Sequence, residues 1–131
     1  MKNEFKEVRC RLSVYEQNVL LPILIKGLEV KNGKMSAVTN KQIVQRLRGH
    51  GLKINERYVC RLINHIRMND LVDGLVASPA GYYVTNCERE LIDYEDSLLG
   101  REVAIRKVRM SIMRQRRAMF MNKKERQTQL F

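Results

Sequence analysis

The chain has no tryptophan, two prolines, two histidines and three cysteines in 131 residues, and each shortage removes a class of protein. His50 and His65 stand far apart in sequence and no CxxC occurs among Cys10, Cys60 and Cys87, so the ligand spacing of a zinc centre is missing. Neither a metal nor another cofactor is expected. An odd, scattered cysteine set is not a disulfide framework, and without a secretory leader it fits a reducing cytoplasm, with Cys60 and Cys87 expected to be buried. The longest apolar stretch, Val19 to Ile25, contains Pro22 and falls far short of the roughly 20 residues of a membrane span, so no membrane partner is expected. There is no Walker loop and no arguable Ser-His-Asp set, which points away from an enzyme. The acidic group Glu88, Glu90, Asp93, Glu95 and Asp96 reads as a charged first turn complementing a helix dipole.

Acidic residues are also scarce. The 25 Lys and Arg outnumber 14 Asp and Glu, leaving a net charge of +11 that points to a polyanionic partner. The excess is uneven, with net +3 over residues 1–100 and net +8 over residues 101–131. The C-terminal quarter is a basic arm.

Three capping boxes punctuate the chain. Ser13 and Glu16 open an apolar helix over 13–30, which Pro22 kinks or restarts. Thr39 and Gln42 open a second helix that carries Ile43, Val44 and Leu47 and stops at Gly49-His50-Gly51. Leu52-Lys53-Ile54 has the length of a bridge strand, and Asn55 is placed to cap a third helix reaching about Asn69. That helix has Val59, Leu62, Ile63 and Ile66 on one stripe. Apolar, β-rich runs then flank the turn Ser78-Pro79-Ala80-Gly81, which predicts a hairpin. Thr85 and Glu88 open a last helix over 86–126, basic from 101, with a cost of about 1 kcal/mol and a potential break at Gly100.

With the apolar stripe of the third helix turned inward, steps of about 100° put Arg57, Arg61, Asn64 and Met68 on the opposite side, flanked by Tyr58 and His65. Arg can bind guanine in a bidentate manner and Asn can do the same with adenine, so this row suits a major groove. Lys41, Arg46 and Arg48 on the preceding helix fall where phosphates would lie. The competing reading is an ordinary solvated face.

Residues 39–85 resemble the winged helix-turn-helix of bacterial and phage DNA-binding proteins. The matching words are Thr-Asn-Lys-Gln-Ile-Val at 39–44, Leu-Lys-Ile-Asn-Glu-Arg-Tyr-Val at 52–59 and Leu-Val-Ala-Ser-Pro-Ala-Gly-Tyr-Tyr-Val at 75–84. The resemblance implies a mainly α fold with a small β-hairpin wing over residues 1–85, followed by the long helix, and DNA as a partner. One departure is that the wing tip has no Lys or Arg with which to grip a minor groove.

In the last helix Leu91, Leu98, Ile105, Ile112 and Met119 recur every seven residues, with Tyr94 and Val108 between them and Arg101 and Gln115 interrupting. The seam reads as packing on the first helix or on a second copy over 91–119, in preference to a lone arm. Its solvated face carries Arg106, Lys107, Arg109, Arg114, Arg116 and Arg117, each able to meet a phosphate.

The chain ends in Gln127-Thr128-Gln129-Leu130-Phe131, expected as a flexible tail. This resembles the bacterial sliding-clamp-binding pentapeptide, in which Leu and Phe enter an apolar pocket and a Gln amide bonds at its rim. The resemblance assigns those roles to Leu130, Phe131 and Gln127, with Thr128 and Gln129 departing from the usual residues. Together the parts describe a phage- or plasmid-type replication accessory in the host cytoplasm, associated with the nucleoid. A dimeric winged-helix repressor and a protein-binding winged-helix adaptor stay open.

Overall fold

The computed structural model describes residues 11–129, with side chains as far as Met121. The first helix is set by reciprocal bonds at Ser13, whose Oγ accepts from the Glu16 N–H (3.1 Å) while its own N–H donates to Glu16 Oε1 (3.2 Å). A π-helical stretch, Glu16–Leu20, leads into α1, Leu21–Glu29. The helical backbone runs on through Leu20 and Leu21, so Pro22 follows the π-helical stretch without breaking the helix. Leu20, Leu21, Leu24 and Leu28 form the buried face.

The second helix, α2 (Asn40–Gly49), starts at Thr39 with both bonds of the capping box in place. In α3 (Glu56–Met68) Asn55 Oδ1 accepts from the Tyr58 N–H at 2.9 Å, and Val59, Leu62, Ile63 and Ile66 are the buried stripe. Strands β1 (Leu75–Ser78) and β2 (Gly81–Val84) pair antiparallel, Leu75 facing Val84 and Ser78 facing Gly81. Buried Tyr83 sits in this hairpin, and burial, aided by the charge of Glu90, holds its phenol above the ordinary pKa of 10.0.

The expected bridge at Leu52–Ile54 does not form. The loop after α1 takes that place, with bridges from Asn32 to Val84 and from Val38 to Tyr82. Val38 and Tyr82 exchange both backbone bonds, at 2.9 and 2.8 Å. Segment 52–54 is instead pinned from its flanks, where Arg48 Nε donates to the Ile54 carbonyl (2.9 Å) and Tyr15 Oη bonds at Lys53. The Lys53 N–H and the Lys53 and Ile54 carbonyls are thus taken by side chains, and the Leu52 N–H donates to the Leu47 carbonyl at 3.1 Å. Gly81 lets the loop approach the hairpin, because a Cβ there would lie 2.5 Å from the Val38 carbonyl.

The last helix, α4, spans Glu88–Gln129 without a break at Gly100. Its expected cap is altered, since Thr85 Oγ1 accepts from the Cys87 N–H and donates to Glu90, with Glu88 taking no part in these bonds. The helix also runs beyond residue 126 into the expected flexible tail, through strong helix formers such as Glu125 and Arg126, so the backbone of Gln127 is helical. Leu130 and Phe131 lie outside the described residues.

The chain divides into two units, residues 1–91 and 92–131. The first is a winged-helix-like unit whose core joins α1, α2, α3 and both strands, with Leu20, Val59, Leu62 and Ile66 fully buried. The second is helix α4 from Ile92 onward. Among the described residues no helix is long and apolar enough to cross a membrane.

Candidate nucleic-acid interface

The outer face of α3 is held by the stripe beneath it. Four buried side chains fix the helix's rotation, so residues about 180° away face solvent whatever their chemistry. Arg57, Cys60, Asn64, Arg67 and Met68 are exposed. The beginning of α2 adjoins this face, since Asn40 Nδ2 lies 3.4 Å from Cys60 Sγ, and Lys41 is exposed in the first turn of α2. A cleft lined by Thr39, Lys41, Glu56, Ser78, Pro79 and Tyr82 brings the starts of both helices beside the hairpin turn. Lys41, Arg57 and Asn64 therefore share one side of the unit.

Arg61 departs from the expected base-reading row. Its guanidinium is drawn to Glu16 Oε1 at 3.0 Å, and Glu16 is only 2% exposed. The same guanidinium lies 5.7 Å from the centre of the Tyr58 ring. A carboxylate withdrawn from water needs a cation, and Arg61 is the side chain that reaches it. Arg61 and half-buried Tyr58 thus join the framework under the face.

The other sequence candidates divide in the same way. Arg46 is exposed, whereas Arg48, also exposed, has its Nε committed to the Ile54 carbonyl. His65 is half buried at the far end of α3, where Asn69 Nδ2 donates to its carbonyl at 2.8 Å. Arg106, Arg109, Arg114, Arg116 and Arg117 are exposed along α4, in the second unit. Arg106 lies 3.8 Å from Glu102, one turn back.

Cys60 corrects the expectation of a buried thiol, as does exposed Cys87. The sequence held the signal for Cys60, which stands one helical turn before Asn64 on the outward face. Residue type argued for burial and helix angle argued for exposure, and the angle prevailed because the neighbouring stripe already fills the core. Arg67 was missed for a related reason, as it stands at the margin of the outward row.

No protein family, curated protein or solved structure matches this chain.

Proposed function

We propose that this protein binds DNA through the outer face of α3, as an accessory factor in replication. The observation that carries this reading is the exposed row of Arg57, Cys60 and Asn64, presented by a helix whose opposite stripe is fully buried and whose start lies beside Lys41. Rigid presentation matters because bidentate contacts to base edges need side chains held in register. Arg57 and Asn64 supply base contacts in this reading, while Lys41 and Arg46, and separately Arg106, Arg114 and Arg117 of α4, supply phosphate contacts.

Arg61 contributes indirectly. By neutralising Glu16 it fixes the rotation of α3 against the chain before α1. It is a positioning residue.

Recruitment to a bacterial sliding clamp through Gln127, Leu130 and Phe131 completes the proposal, and it rests on the resemblance of the terminal pentapeptide. A clamp would hold the protein near DNA without requiring strong sequence preference, which separates this reading from a repressor bound to one palindromic site.

Anisotropy of labelled duplex DNA, titrated at several salt concentrations, tests the first part. Arg57→Ala should weaken binding by about 1–3 kcal/mol and Asn64→Ala should relax base preference, whereas Lys41→Ala should lower affinity evenly across sequences and reduce the salt slope by about 1. Unchanged affinity in Arg57→Ala removes α3 from the interface. No binding at moderate salt leaves the adaptor reading. For the second part, removal of Leu130 and Phe131 should abolish binding to purified clamp while leaving DNA affinity intact, and equal clamp binding by the shortened chain overturns it.

A further inference from the structure

Helix α4 has a long apolar seam with solvent on it. Ile105 is 68% exposed, Val108 63%, Ile112 57% and Met119 68%. Ala104, Ile105, Val108 and Arg109 line a shallow hollow midway along this seam. The charge along the helix is divided as well. Residues 88–102 hold six acidic and two basic side chains, net −4, while residues 103–121 hold six basic and none acidic, net +6.

We infer that α4 pairs with α4 of a second copy, antiparallel, about a two-fold axis through the hollow at 104–109. Antiparallel alignment sets the acidic half of each helix against the basic half of the other and opposes the two helix dipoles, whereas parallel alignment stacks like charge on like charge. The register follows from the seven-residue repeat. With Ile105 level with Val108 of the second copy, Leu98 meets Gln115, Ile112 meets Arg101 and Met119 meets Tyr94.

That register also places the seam's edges. Along one edge Glu95 comes opposite Arg116 of the second copy and Glu102 opposite its Arg109, giving four complementary pairs over the two-fold. All four side chains are exposed in the single chain. Along the other edge Ser97, Ala104, Ser111 and Ala118 recur every seven residues, so only small side chains oppose one another and the backbones can approach closely. A parallel pair would instead set Arg101 against Arg101 in the seam and leave Glu95 and Glu102 facing small residues. In the antiparallel pair Arg101 has room to extend its charge to water past Ile112. The inference rests on α4 alone and does not depend on DNA binding by α3.

Charge reversal tests it. One variant carries Glu95→Arg and Glu102→Arg, the other Arg109→Glu and Arg116→Glu. Sedimentation equilibrium of the full chain at moderate salt should give twice the chain mass for the unaltered protein and a shift toward monomer for each variant alone. An equimolar mixture should return to dimer, because every edge pair is then complementary. Circular dichroism should show helicity retained in each variant. A monomeric parent chain, variants that stay dimeric alone, or a mixture that stays monomeric with helicity intact each overturns the antiparallel register. Independently, in a chain with its native cysteines replaced by serine, mixed Ala104→Cys and Ser111→Cys proteins should oxidise to the heterodimer, and a 104–104 disulfide as the main product overturns it.

Discussion

The two units of this chain use apolar residues in opposite ways. In the winged unit Leu20, Val59, Leu62 and Ile66 have no exposed surface, and polar side chains serve their surroundings. Along α4 comparable residues at seven-residue spacing stand more than half exposed from Ile105 to Met119. The first unit closes its own core, because three helices and a hairpin can surround a centre. A single helix has no inside, so its apolar stripe must find a surface elsewhere. Packing in the first unit is therefore internal, whereas the seam of α4 is left to solvent from Ile105 to Met119.

The ion pairs offer the sharpest way to test that difference. Arg61→Ala leaves Glu16, 2% exposed, as an uncompensated buried carboxylate. Loss of such a partner typically costs about 3–5 kcal/mol, and because Arg61 is itself 30% exposed a value at or below the lower end is expected. Denaturant unfolding followed by tyrosine fluorescence should show the winged unit lowered by that amount. The exposed pair of Glu102 with Arg106 is the counterpart in α4, and Arg106→Ala should change stability by no more than about 0.5 kcal/mol. A large effect of Arg106→Ala would mean that the second unit has a core of its own.

Glycines give a smaller contrast of opposite sign. Gly81 has φ +121° and faces the Val38 carbonyl, so Gly81→Ala should destabilise the winged unit by roughly 1–3 kcal/mol through strain and clash. Gly100 lies within α4 with nothing near its missing Cβ, so Gly100→Ala should favour the helix by about 0.5–1 kcal/mol, read as raised helicity and a later thermal transition. Destabilisation by Gly100→Ala would show that something approaches α4 there.

Much of the fold was legible because its determinants are local. Thr39 with Gln42 and Asn55 before α3 satisfy the first free N–H groups of their helices, and that chemistry needs no distant partner. The hairpin turn at Ser78–Gly81 and the buried stripe of α3 follow from period and turn chemistry in the same way. The third position beside the hairpin was not legible. Val38 and Asn32 occupy it through backbone bonds to β2, and backbone groups carry no sequence label. The cap of α4 misled for a related reason, since Thr85 had two acidic candidates and geometry chose Glu90 over Glu88.

The candidate interface divides along the same line. Period placed Arg57 and Asn64 on the outward face of α3, and the same period placed Cys60 there despite its residue type. Nothing in the spacing between Glu16 and Arg61 announces that they meet. The charge imbalance, the capping boxes, the apolar stripes and the seven-residue seam are properties of the sequence alone, because each depends on neighbours within a few turns. Which arginine faces outward and which is held by Glu16 was decided only when α3 packed near the chain preceding α1. Packing brings together groups 45 residues apart, and a carboxylate shut away from water takes the nearest cation whatever face the helix period had assigned to it.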